Sequence, residues 1–67
     1  MIKVRLIENG RTLDVISFKD NQRDEATKEF LEHALDLGME DDEADETVKK
    51  GSYEVNDMKV SIRNSKK

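Results

Sequence analysis

Residues 2–18 read IKVRLIENGRTLDVISF, two runs of alternating apolar and polar side chains on either side of Asn9-Gly10. Alternation with a period of two is typical of a β-strand that is buried on one side. Asn-Gly is the dipeptide most strongly associated with the two-residue type I′ turn. The stretch therefore predicts a β-hairpin.

The register of this hairpin follows from its turn. A two-residue loop places Leu6 opposite Leu13 and Val4 opposite Val15. Together with Ile2, these residues would share the face that packs on the core. A shift of one residue would move every side chain to the other face.

The second face of the same hairpin would then carry Ile7, Ile16 and Phe18. Three large apolar side chains are too many for a face that meets only water. We therefore expect Ile7, Ile16 and Phe18 to form an oligomer interface. They could be covered by a second copy, by a partner or by the segment after Met39, and a homodimer is the simplest of the three.

Residues 51–63 predict a second hairpin with Asn56-Asp57 as its turn. The expected pairs include Val55 with Met58, and Glu54 with Lys59, two side chains of opposite charge. The face turned toward the core would consist of Tyr53, Val55, Met58, Val60 and Ile62.

Residues 22–37 between the hairpins predict an amphipathic helix that ends at Gly38. A short second helix is expected at 43–50, stopped by Gly51 and anchored only by Ala44 and Val48. The apolar side of the first helix occupies about half of its circumference. It consists of Ala26, Phe30, Leu31, Ala34, Leu35 and Leu37.

These elements predict an α+β fold of order ββαββ, in which one amphipathic helix covers one face of an antiparallel sheet. The 67 residues allow one domain, expected to span 1–63, with residues 64–67 as a frayed basic tail. A chain this short buries only about 60% of the surface that it exposes when unfolded. Oligomerisation would supplement that small core.

Charge is segregated along the chain. Residues 22–46 hold eleven of the sixteen acidic residues and two basic ones, for a net charge of −9, whereas the other residues sum to +5. Such asymmetry influences association with partners more than it influences the fold. The predicted partner-binding residues form a ridge on the outer side of the helix and the segment that follows: Glu25, Glu29, Glu32, Asp36, Glu40, Asp41, Asp42 and Glu43.

The composition argues against catalysis and against a cofactor. The chain has no Cys, one His and three Gly, so it lacks a nucleophile–base pair, a thiolate zinc set and a phosphate-cradling loop. His33 is expected to be a packing residue at the edge of the helix. The acidic run at 40–46 lacks the central Gly of a calcium loop, so no metal site is predicted.

We therefore expect a small acidic, non-enzymatic protein-binding module, homodimeric and cytoplasmic, that meets a basic surface on another protein. Its sharpest version is an inhibitor of the phage or mobile-element type that mimics the charge of DNA on a host nucleic-acid-binding protein. The alternative is a structural or accessory subunit that oligomerises through its second sheet face. Binding to a membrane is not expected, because no apolar run approaches about 20 residues.

Direct binding of nucleic acid is also not expected. The predicted outer sheet face combines basic residues with Phe18 as its single aromatic side chain, and it also carries Asp14 and Glu54. Proteins that bind single strands normally stack bases on several aromatic rings. The basic residues of this face are Lys3, Arg5, Lys59 and Arg63.

Overall fold

Two β-hairpins build one antiparallel sheet, and two helices connect the hairpins. The computed structural model describes residues 1–64, and its fold is the predicted α+β fold with the short second helix present. The strand order is β2-β1-β4-β3, so the first and last strands are the central pair. The elements are β1 (Ile2–Glu8), β2 (Arg11–Phe18), α1 (Arg23–Leu37), α2 (Ala44–Lys50), β3 (Ser52–Val55) and β4 (Met58–Asn64).

The first hairpin has the predicted turn but not the predicted register. Asn9 and Gly10 have φ angles of 51° and 78°, the positive values that a type I′ turn requires. A β-bulge follows the turn. Ile7 pairs with Thr12, but the preceding residue Leu6 pairs with Asp14, so the register shifts by one residue. The strand β2 therefore has one extra residue, Leu13, which has no partner on β1.

The bulge reverses the faces of the rest of β2, and the prediction for this strand is wrong. Val15 lies opposite Arg5, and Leu13 and Val15 are 53% and 43% exposed instead of buried. Ile16 and Phe18 pair with Val4 and Ile2 and so lie on the helix side of the sheet. The bulge thus turns Ile16 and Phe18 toward the helix side, where Phe18 packs against the core.

The second hairpin confirms its predicted register. Val55 pairs with Met58, Tyr53 with Val60, and Glu54 with Lys59. The two hairpin turns are adjacent, because the Asn9 N–H donates to the Asp57 carbonyl oxygen at 2.9 Å. Strand β4 continues to Asn64, so the predicted fraying does not begin there. The remainder of the predicted tail, residues 65–67, lies outside the described residues.

Helix α1 ends as its sequence predicts. Gly38 has a φ of 116°, and the Met39 N–H donates to the Ala34 carbonyl oxygen at 3.0 Å, as in a Schellman motif. At its start, a single 3-10 turn at Asp20–Gln22 precedes the helix. The Gln22 side chain accepts a hydrogen bond from the Lys19 N–H at 2.9 Å and closes this turn.

Helix α2 has more anchors than the two that the sequence indicated. Met39 and Thr47 are each 5% exposed, and Ala44 and Val48 pack against the same core. Gly51 ends the helix with a φ of 78°, and a Cβ there would lie 3.3 Å from a carbonyl oxygen of β4. Glycine is required at this position both by its φ and by the close approach of the strand.

The core lies between the sheet and α1. Phe30 is fully buried and contributes the largest of its side chains, which is worth about 2–3 kcal/mol of burial. Leu35, assigned to the apolar side of the helix, is instead 43% exposed. The buried apolar residues are Ile2, Val4, Ala26, Phe30, Ala34, Met39 and Val60.

Candidate binding surfaces

The outer side of α1 carries the predicted acidic ridge. Glu25, Glu32 and Asp36 are exposed, and none of them makes an ion pair within residues 1–64. Their spacings of seven and four residues align the three carboxylates along one side of the helix. Three negative charges are therefore presented to solvent on a rigid element.

The fourth ridge residue, Glu29, differs from the others. Its carboxylate lies 3.1 Å from Nε2 of His33, one helical turn away, and both side chains are partly buried. This contact becomes an ion pair when the imidazole is protonated. His33 thus lies at the edge of the helix, as predicted, and its neighbour there is a carboxylate.

The segment after α1 extends the acidic surface. Glu40, Asp41, Asp42 and Glu43 are all exposed. Glu43 also has a local role, since its Oε1 accepts a hydrogen bond from the Glu40 N–H at 3.0 Å. This bond closes the 3-10 turn that precedes α2, so the segment has a defined conformation.

Metal binding finds no support in this geometry. Within the part of the chain that the structure describes, no three side chains of His, Cys, Asp or Glu lie close enough together to hold an ion. The carboxylates of the acidic segment point into solvent from successive positions of a turn. They contribute charge to a surface and do not form a cage.

The sheet face away from the helices, here called the open sheet face, is basic. Lys3 and Arg5 of β1 lie on it beside Lys59 and Arg63 of β4, as the register of the two central strands requires. No ion pair involves any of these four residues within 1–64. The only acidic residue in their cross-strand rows is Glu54, on the edge strand β3.

A shallow groove of about 380 Å³ runs over this face between β4 and the end of α2. Its charged lining is entirely basic, and Ser52 and Ser61 add two hydroxyl groups. A smaller groove of about 230 Å³ continues past Lys3. The basic residues of the larger groove are Arg5, Lys50, Lys59 and Arg63.

The predicted oligomer interface does not form one surface. Ile7 lies on the open sheet face, whereas Ile16 and Phe18 lie on the helix side. Phe18 packs against the core. The cause is again the bulge, and the argument for a dimer through these three residues is lost.

The four basic strand residues lie on the face that strand alternation predicts, but the other residues of that face differ from the prediction. Phe18 and Asp14 were expected on it, and the bulge moves both to the helix side. The open sheet face is therefore more basic than expected and, in the cross-strand rows, has no aromatic ring. The contribution of Lys50 to the groove depends on the end of α2, which strand alternation does not reveal.

Neither helix of residues 1–64 combines the length and apolar character that crossing a bilayer requires. No family model, curated protein or solved structure matches this chain, so its function has to be inferred from the surfaces themselves.

Proposed function

We propose that the protein is a non-enzymatic binding module whose acidic helical layer docks on a basic surface of another protein. The acidic helical layer consists of the outer side of α1 and the segment 40–46. The observation that carries the proposal is that Glu25, Glu32 and Asp36 are exposed and make no ion pair within residues 1–64. A partner can engage these charges without breaking an internal contact.

Rigidity also favours this surface for recognition. The ridge belongs to a helix of 15 residues whose opposite side is held by Phe30 in the core. Side chains on a fixed backbone lose less conformational entropy on binding than side chains on a flexible tail. The hydrogen-bonded turn at 40–43 extends the same advantage to the following segment.

A more specific form of the proposal is an inhibitor that occupies the nucleic-acid site of another protein. Such an inhibitor should have a charge spacing similar to that of DNA. Glu25 to Asp36 span about 16 Å at 1.5 Å per residue, or roughly one charge per 5 Å. One DNA strand carries a charge about every 3.4 Å. The ridge is sparser than DNA, and the adjacent carboxylates of 40–46 bring the combined layer closer to that density. A phage-type inhibitor is therefore the specific form of the proposal.

An assembly role is the second candidate, and one observation favours it. Leu13 and Val15 are 53% and 43% exposed on the edge strand β2, although both are large and apolar. Neighbouring exposed apolar residues mark contact surfaces more often than isolated ones do. In this candidate function the copies contact one another through the open sheet face, and the acidic helical layer only keeps the assembly hydrated.

The test is capture of partners from the native host by the tagged protein at about 50 mM and 500 mM salt. A variant with Glu25→Lys, Glu32→Lys and Asp36→Lys should lose the captured protein, and high salt should reproduce the loss. Exposed charges are screened beyond about 8 Å at physiological ionic strength, so an electrostatic contact weakens as salt rises. All three replaced side chains are exposed and the Glu29–His33 contact is left intact, so we expect the variant to fold.

A matched control has the same change in net charge at exposed positions outside both the ridge and the open sheet face, namely Glu8→Lys, Asp24→Lys and Asp57→Lys. It should capture the partner as the wild type does. A partner that survives both the helix variant and high salt would contradict the proposal and would favour contact through the open sheet face.

A further inference from the structure

Within residues 1–64, the open sheet face is the side of the sheet turned away from both helices. Lys3 and Arg5 are alternate residues of β1, about 6.8 Å apart, whereas Lys59 and Arg63 lie about 14 Å apart on β4. The two strands are about 4.8 Å apart across the sheet. Lys3 lies opposite Arg63, and Arg5 lies opposite Ser61. Together they form a compact positive patch that has no carboxylate partner within residues 1–64.

The helical layer on the opposite side of the molecule has the complementary charge. Glu25, Glu32 and Asp36 project from α1 over a length of about 16 Å. The basic patch extends from Lys3 to the Ile7–Lys59 row, four residue steps of about 3.4 Å along the strand, or about 14 Å. The two charged surfaces are thus similar in length as well as opposite in sign.

Exposed apolar side chains occur on both surfaces. Val15 lies in the row of Arg5 on the open sheet face, and Leu13 lies beside it on the same edge strand. Leu35, 43% exposed, lies on the flank of the ridge, about 60° around α1 from Glu32 at 100° per residue. Apart from Met1, these are the large apolar residues that residues 1–64 expose most. Each charged surface therefore offers an apolar contact as well.

The faces are large enough for a specific interface. The molecule measures 32 by 28 Å across and 16 Å in thickness, so one face has an outline of about 900 Å². A standard protein–protein interface buries about 800 Å² on each partner. The thickness is about two Debye lengths at physiological salt, so like-charged faces of stacked copies are largely screened from each other.

We infer that the open sheet face binds the acidic helical layer of a second copy of this chain. The inference rests on the proposed function and names the partner: the basic surface that the acidic layer recognises is the sheet of the next molecule. Arg5, Lys59 and Arg63 meet the carboxylates of α1, and Val15 contacts Leu35. The copies are arranged head to tail, so each molecule uses one face toward each neighbour, and growth continues beyond a dimer unless a ring closes.

Two variants, each with three charged side chains replaced by uncharged amides, test this arrangement directly. The helix variant has Glu25→Gln, Glu32→Gln and Asp36→Asn, and the sheet variant has Arg5→Gln, Lys59→Gln and Arg63→Gln. Each retains only one competent face, so each alone should sediment as a monomer. Mixed in equal amounts they should form a one-to-one dimer and nothing larger, because the intact sheet of one meets the intact helix of the other.

The wild type provides the reference for this experiment. At about 100 μM and low salt it should form species larger than a dimer, and about 500 mM salt should return it to the monomer. Loss of three exposed charge pairs should weaken association roughly tenfold or more. The salt dependence of the wild type tests the inference even if the sheet variant fails to fold.

Several results would overturn the inference. A wild-type monomer at 100 μM, or a mixture of variants that stays monomeric, excludes head-to-tail binding. A wild-type dimer that never grows, and that only the sheet variant disrupts, indicates a sheet-to-sheet contact. A monomer that binds a 20-nucleotide single strand through Arg5, Lys59 and Arg63 assigns the groove to a phosphate backbone. If a host protein is still captured through the acidic layer, the proposed function survives and only the second copy is excluded.

Discussion

The bulge in β2 makes a prediction that distinguishes two registers of the same hairpin. In the observed register Phe18 packs against the core, whereas Leu13 is 53% exposed. Replacing a fully buried Phe by Ala costs about 3–5 kcal/mol. Phe18 is half-buried, so Phe18→Ala should cost about 2 kcal/mol by the same principle. Leu13→Ala removes a side chain mostly in water and should change stability by about 0.5 kcal/mol or less.

Urea unfolding and thermal unfolding, both followed by circular dichroism, measure the change in stability of each variant. For a domain of this size, each kcal/mol corresponds to about 4–8 °C in Tm. Phe18→Ala should therefore melt roughly 8–16 °C lower, and Leu13→Ala should melt close to the wild type. A larger loss for Leu13→Ala than for Phe18→Ala would refute the bulged register and restore the regular hairpin. The variants should have the same m-value as the wild type, because a changed m-value would indicate a change in the compactness of the denatured or native state.

Three further predictions concern other elements. Gly51→Ala should cost more than Gly10→Ala in urea unfolding, because both have a φ of 78° but only the former brings a Cβ within 3.3 Å of a backbone oxygen; equal costs would contradict that close approach. Met39→Ala should cost about 2–3 kcal/mol in the same assay, since Met39 is 5% exposed, and a negligible cost would mean that the segment after α1 is not docked. His33→Ala should change the free energy of unfolding by about 0.5 kcal/mol or less, because its contact with Glu29 is partly exposed; a cost above about 1.5 kcal/mol would show that His33 is a core residue.

The sequence predicted the elements well because their end signals are local. Asn9-Gly10 fixes a turn through its own backbone preferences, and Gly38 ends α1 because it accepts a left-handed conformation. The pairing of Val55 with Met58 follows once the second turn is located. Such features involve residues that are neighbours in the chain, so they can be identified without the tertiary structure.

The register of β2 was not predictable in this way. A bulge adds one residue to a strand without changing the turn. Whether it forms depends on which side chains pack best against the core. One signal was present in the sequence: Ile16 and Phe18 made the supposed outer face too apolar. In the structure Asp14 follows the unpaired Leu13. Its Oδ1 accepts a hydrogen bond from the Val15 N–H at 2.9 Å, directly beside the bulge. The excess of apolar residues on that face therefore indicates a shifted register of β2 and not an oligomer interface.

The acidic surface was predictable because helix periodicity and exposure follow from sequence spacing. Leu35 was the exception: its position near the apolar side gave no indication that it would be 43% exposed. The basic groove was only partly predictable. Lys59 and Arg63 follow from strand alternation, whereas Lys50 reaches the groove through the packing of α2 beside the sheet.

The central claim is that the acidic helical layer is the binding surface, and carboxylate footprinting tests it most directly. Exposed carboxylates are labelled with a carbodiimide and an amine, with and without the captured partner, and each site is quantified by mass spectrometry. The account predicts that Glu25, Glu32 and Asp36 lose labelling in the complex, whereas Glu8 and Asp57 at the hairpin turns do not. Unchanged labelling of the helix carboxylates in a complex that has formed would contradict it.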